Sequence, residues 1–150
     1  MKRDARLREL SRDHHHALVL ARFIEAMCVR DCIEDDAIAI VRERFTAEIV
    51  PHFDVEELLL SALEGLGADD LVTRTRNEHA TMLRLVEHAA GSDPSPLREL
   101  AQLIVEHVRF EERELYPVCE ERLDDQMLDR IAHAHAHAHP PPAQALEEEA

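Results

Sequence analysis

Apolar residues return every three or four positions along four long stretches of this chain, and short polar breaks part the stretches. That period places them on one face of an α-helix, and a strand has no use for it. The first stretch, Arg3 to Val29, carries Leu7, Leu10, Ala17, Leu18, Ala21, Ile24 and Cys28. The second, Asp36 to Leu63, carries Ile40, Val41, Phe45, Ile49, Val55, Leu59 and Leu63. Pro51 lies inside it and predicts a kink. Gly65 and Gly67 follow as a stop signal. The third runs from Asp69, the expected N-cap, to about Ala90. Gly91-Ser92-Asp93-Pro94 parts it from the fourth, whose stripe is Leu97, Leu100, Ile104, Phe110 and Leu115 and whose expected end is near Pro117. A short fifth helix is expected from Leu123 to Ala132.

Composition points the same way. Aromatics are 3% of 150 residues, Gly numbers 3, and Ala, Leu, Glu and Arg are abundant, so an all-α fold is expected. Four amphipathic helices with short connections predict an antiparallel up-down-up-down four-helix bundle over residues 1–132. Residues 133–150 read HAHAHAHPPPAQALEEEA, a low-complexity tail expected to be disordered. Its four histidines, His133, His135, His137 and His139, are expected to bind metal loosely at most.

The formal net charge is −15. Phosphate backbones and anionic membrane surfaces would be repelled, so neither nucleic acid nor membrane is an expected partner. The N-terminal stretch MKRDARLRELSRDHHH is charged, and no apolar run approaches the ~18 residues of a membrane span. A cytoplasmic protein is expected. Cys28, Cys32 and Cys119 form no CxxC and are expected to be free thiols.

Chemistry enters with the histidines. His52-Phe-Asp-Val-Glu56 and His107-Val-Arg-Phe-Glu111 are both HxxxE, a spacing that stacks the two side chains on one helical face. In each case that face is the apolar stripe. His79 shares its face with Val72, Met82, Leu83 and Val86. In the first helix His14 falls in phase with Leu7, Leu10, Leu18 and Ala21. His15 is rotated from it by about 100° and stays as the alternative. His16 and His88 fall off the stripes and are expected at the surface. A buried unpaired carboxylate costs several kcal/mol, so carboxylates and imidazoles converging in one core need a compensating cation. Imidazole and carboxylate donors without thiolate suit iron, manganese or zinc. Six such donors exceed one tetrahedral site and suit a dinuclear, carboxylate-bridged centre.

The pieces LSRDHHHALVLA, HFDVEE, RNEH and HVRFEERELYP together resemble the hemerythrin-like, HHE cation-binding domains over roughly Leu10 to Pro117. The resemblance implies a four-helix bundle holding two non-haem iron ions. Carried over by motif, the ligands are His14 (or His15), His52, Glu56, His79, His107 and Glu111, with Glu56 and Glu111 bridging. One departure stands out. Oxygen-carrying hemerythrins have HxxxH in the third helix, and here Thr75 precedes His79 by four. That shifts the expectation from oxygen carriage toward binding or sensing O2, NO or peroxide, or handling iron, with a protein partner possible. Glu57, Glu112 or Glu114 are candidates to fill the vacancy. A peroxidase-, oxidase- or NO-reducing di-iron enzyme and a metal-free interaction bundle are the rival expectations.

Overall fold

A proline inside a helix lacks the N–H that its turn requires, and its ring presses on the carbonyl four residues back. In the computed structural model, which describes residues 2–30 and 32–138, two helices meet that problem in the same way. Ahead of Pro51 the chain widens into a π turn, Phe45–Ile49; ahead of Pro117 it does so again, Glu111–Leu115. The Val50 N–H reaches back to the Phe45 carbonyl, and the Tyr116 N–H to the Glu111 carbonyl. The expected kink at Pro51 is therefore an inserted residue just before it, and the fourth helix does not stop near Pro117.

The helical segments are α1 Arg8–Met27, α2 Asp35–Arg44, α3 Val50–Leu63, α4 Asp69–Glu87, α5 Ser95–Phe110, α6 Tyr116–Arg122 and α7 Asp125–Ala138. The π turns join α2 to α3 and α5 to α6, so five rods result. The chain is an all-helical bundle, with no strand among the described residues. α1 packs along α5, α4 lies against α5, and α7 lies against α3.

Several element ends differ from expectation for local reasons. α1 begins at Arg8, because the Asp4 carboxylate accepts from the N–H and guanidinium of Arg6 and holds a turn there. The cap of α4 is Ala68; Asp69 is its first residue, and its carboxylate accepts from the Gly65 N–H. Gly65 itself has φ +77°, a left-handed value that closes α3. Ile40 and Leu83 are more than 40% exposed and leave the core stripe assigned to them. Each sits one step, about 100°, from the residue that is buried, Val41 or Met82. Cys32 is exposed beyond the end of α1, while Cys28 and Cys119 are buried; all three are free thiols.

The expected end of the fifth helix, Ala132, is passed by six residues. α7 runs on through His133, His135 and His137 to Ala138. Leu128, Ile131 and His135 recur at helical spacing and are buried, and the intervening alanines favour helix. The remainder of the expected tail, including His139, lies outside the described residues.

The core has two apolar halves. One gathers Leu20, Ile24, Val41, Phe45, Leu100 and Ile104; the other gathers Leu10, Leu59, Leu63, Leu115, Tyr116 and Ile131. Each buried Leu or Ile stabilises the fold by about 1.5–3 kcal/mol. Along α1 the chain passes from Leu10 in one half to Leu20 in the other, and along α4 from Val72 to Met82. His14 and His79 fall between those points, in a polar layer that separates the halves.

Candidate metal centre

Four rods each turn one imidazole into that layer: His14 from α1, His52 from α3, His79 from α4 and His107 from α5. All four are buried, and Glu56 and Glu111 between them have no exposed surface at all. His14 Nε2 lies 2.9 Å from Glu111 Oε1, and His107 Nε2 lies 3.2 Å from Glu111 Oε2. His52 Nε2 and His79 Nε2 lie 3.2 and 3.1 Å from the same oxygen, Glu56 Oε1. Tyr116 donates its hydroxyl to Glu56 Oε2 at 2.8 Å and stacks on the His14 ring.

These contacts are short, yet most are not aligned as hydrogen bonds. The buried Nε2 atoms of His52, His79 and His107, and Glu56 Oε1 and Glu111 Oε2, have no hydrogen-bond partner. Orphaned polar atoms of that kind cost about 1–3 kcal/mol each, more when charged. Lone pairs from several rods aimed at one small volume are what a cation requires. The residues sort into two groups whose donor atoms lie within 4.8 Å of one another: His14, His52, Glu56, Glu111 and Glu56, His79, His107, Glu111. Both carboxylates belong to both groups. The donor set thus fits a metal, and its composition of imidazole and carboxylate is that of a site for iron, manganese or zinc.

The far sides of the rings are held as well. His14 Nδ1 donates to Glu112 at 2.8 Å, His52 Nδ1 to Asp13 at 2.9 Å, and His107 Nδ1 to Glu78 at 2.7 Å. A carboxylate on Nδ1 fixes the tautomer that leaves Nε2 as a lone pair toward the centre. His79 is oriented differently, by face-to-face stacking on Phe53 at 3.8 Å. The three outer carboxylates share a pattern. Each is the immediate sequence neighbour of a centre residue, in Asp13-His14, Glu78-His79 and Glu111-Glu112, and each serves a ring on a different helix.

The profile of the hemerythrin HHE cation-binding domain matches residues 5–119. The chain belongs to the hemerythrin family. No curated protein and no solved structure shows a significant match. The matched span ends inside α6, so α7 lies beyond it.

Within this hemerythrin-family bundle the electrostatics are those of a core holding protons in place of a cation. Burial opposes the charge on His107, but Glu111 and Glu78 outweigh it, and its pKa is pushed up to about 10. His52 rises well above its ordinary value, burial again being outweighed by Glu56 and Asp13. His14 rises through Glu111 and Glu112 despite burial. Glu111, though buried, is held well below the usual carboxylate range by His107 and its other ring neighbours. Tyr116 is raised by burial and by the two glutamates, so its hydroxyl keeps its proton.

The structure brings His14, His52, Glu56, His79, His107 and Glu111 together. It turns His15 outward, where its ring meets that of His16. His88 is exposed and bonds the Arg84 carbonyl. None of the carboxylates considered for the position vacant at Thr75 reaches the inner cluster. Glu57 pairs with Arg76 at 2.6 Å, Glu114 lies 3.6 Å from Arg74, and Glu112 is on the outer nitrogen of His14. Thr75 is buried, and its hydroxyl donates to the Leu71 carbonyl at 2.7 Å. Asp13, Glu78 and Glu112 in their outer roles were not visible in the residue pattern, although their adjacency to the centre residues was there to be read.

Beside the cluster is a cavity of about 20 Å³. Its lining combines polar Asp13, His14, Glu48, His52, His107 and Glu111 with apolar Ala17, Ile49, Phe53, Met82, Ile104 and Val108. It has room for one water-sized molecule.

Proposed function

We propose that this chain is a non-haem di-iron protein of the cytoplasm that binds or senses a small ligand of the size of O2, NO or peroxide. The observation that carries the reading is the set of orphaned Nε2 and carboxylate atoms, divided into two groups that share Glu56 and Glu111. His14 and His52 would serve one ion and His79 and His107 the other, with both glutamates bridging. Bound iron supplies a Lewis-acidic, redox-active position for a small ligand.

The remaining parts belong to the protein. Asp13, Glu78 and Glu112 hold three imidazoles by Nδ1, so that Nε2 faces the centre and is the nitrogen that gives up its proton when an ion binds. The Tyr116 hydroxyl fixes one oxygen of Glu56 and leaves the other facing His52 and His79. The small volume of the cavity favours a compact guest over a larger substrate. Thr75 spends its hydroxyl on its own helix and offers no ligand, which favours sensing or iron handling over oxygen carriage.

The test is the metal content of protein purified without oxygen, followed by absorption spectra on exposure to air and to NO. About two iron ions per chain and a spectral change with either gas are expected. Stoichiometric zinc or manganese in place of iron would change the metal but keep the site. Metal-free protein whose spectrum ignores added ferrous iron would refute the proposal and leave a helical interaction bundle.

A further inference from the structure

α7 buries a histidine that the metal-centre reading has not used. His135 lies inward with Leu128 and Ile131, and its Nε2 is 2.8 Å from Asp13 Oδ2. The same oxygen is 2.9 Å from Nδ1 of His52. An ionised carboxylate only accepts, so both rings donate to it. His135 thus pins from one side the oxygen that orients His52 from the other. Glu78 and Glu112, the other two outer carboxylates, are steadied by arginines, Arg74 at 3.1 Å and Arg3 at 3.0 Å. Asp13 receives that support from the rod that follows the family-matched span.

We infer that His135 is a positioning residue of the metal centre: through Asp13 it fixes the His52 imidazole, and so makes α7 a component of the site. The inference rests on the di-iron reading above. Without the His135 donor, Asp13 loses one of the groups that hold its carboxylate in place, and the Nδ1–H of the His52 ring meets a less firmly held partner. An ion bound by His52 should then leave faster. His133 and His137, exposed on the same helix, have no such path to the centre.

The experiment loads the full chain with ferrous iron under nitrogen and follows its release to a chelator. His135→Ala should speed release by roughly 3- to 10-fold, less than the ~10–100-fold typical when a direct partner of a ligand is lost. His135→Gln, which keeps an N–H near the Nε2 position, should restore a rate within about twofold of wild type. Asp13→Asn should have the larger effect, and adding His135→Ala to it should change nothing more. His133→Ala should match wild type. In metal-free protein, the His52 Nδ1–H proton resonance should be sharp in wild type and His135→Gln and broadened by exchange in His135→Ala. Circular dichroism of each variant separates these effects from loss of α7. A wild-type release rate in His135→Ala, or multiplied effects in the double variant, would overturn the inference while leaving the di-iron reading intact. A wild-type chain that takes up no iron would refute both.

Discussion

In its metal-free form the protein should lose stability as the solution is made alkaline. His107 has an ordinary value near 6.5 when unfolded and a folded value of about 10. A group raised on folding stabilises fully below its unfolded pKa and loses that contribution as the pH climbs through its folded one. The window is therefore about pH 6.5 to 10. At about 1.36 kcal/mol per pKa unit, His107 alone accounts for a loss of up to about 5 kcal/mol across it. That is a large share of the ~5–15 kcal/mol that holds a typical domain together. His52 and His14 are raised as well and act in the same direction. Glu111 has the opposite sign: its contribution is present above about pH 4.5 and is lost on acidification. The metal-free protein should then be most stable between about pH 5 and 6.5. Urea unfolding of chelator-treated protein at successive pH values, with the slope checked for constancy, measures this. His107→Gln should flatten the curve between pH 7 and 9. A wild-type stability that is level or rising from pH 6.5 to 10 would show that the core histidines are not held protonated by the glutamates.

Other consequences are open to direct measurement. Because both donor groups contain Glu56 and Glu111, Glu56→Gln or Glu111→Gln should each weaken metal uptake by both groups, whereas Glu57→Gln, at an exposed position, should leave metal content unchanged; equal losses in all three would argue against shared carboxylates. Tyr116→Phe removes the donor to a buried Glu56 oxygen and should cost about 1–3 kcal/mol in denaturant unfolding of the metal-free protein, with no effect if that oxygen is otherwise solvated. A Cβ at Gly91 would stand 2.0 Å from the Ile33 carbonyl oxygen, so Gly91→Ala should destabilise by at least about 1–3 kcal/mol, and a neutral thermal midpoint would mean the link between α4 and α5 yields freely.

What was legible in the residues depended on whether the signal was local to one helix. The bundle and its inward faces followed from apolar spacing, and the two HxxxE pairs followed from spacing of four on those faces. His14 lies in phase with Leu7 and Leu10, and the structure turns it inward and His15 outward. The outer carboxylates were hidden because Asp13, Glu78 and Glu112 sit at half-buried positions, where an acid reads as part of a solvated face. Their partners are on other helices, and only packing brings them together. Pro51 and Pro117 announced a disturbance but not its form, since an inserted π residue is a property of the backbone path. The alternating His and Ala of the tail concealed the last turns of the expected fifth helix, because its decisive apolar residues, Leu128 and Ile131, precede the repeat.

The doublets Asp13-His14, Glu78-His79 and Glu111-Glu112 have a mechanical consequence. Each helix that carries one presents a donor to the centre and, a single residue away, a clamp to a ring on a neighbouring helix. Consecutive residues on a helix diverge by about 100°, so turning one rod about its axis withdraws donor and clamp together. Rotation of α1 would loosen its own His14 and also free His52 on α3; rotation of α4 would do the same to His79 and to His107 on α5. The angular setting of each rod is thereby coupled to the others through the centre. Such a bundle is geared, and a disturbance at one inward side chain is felt as torque on helices that do not carry it.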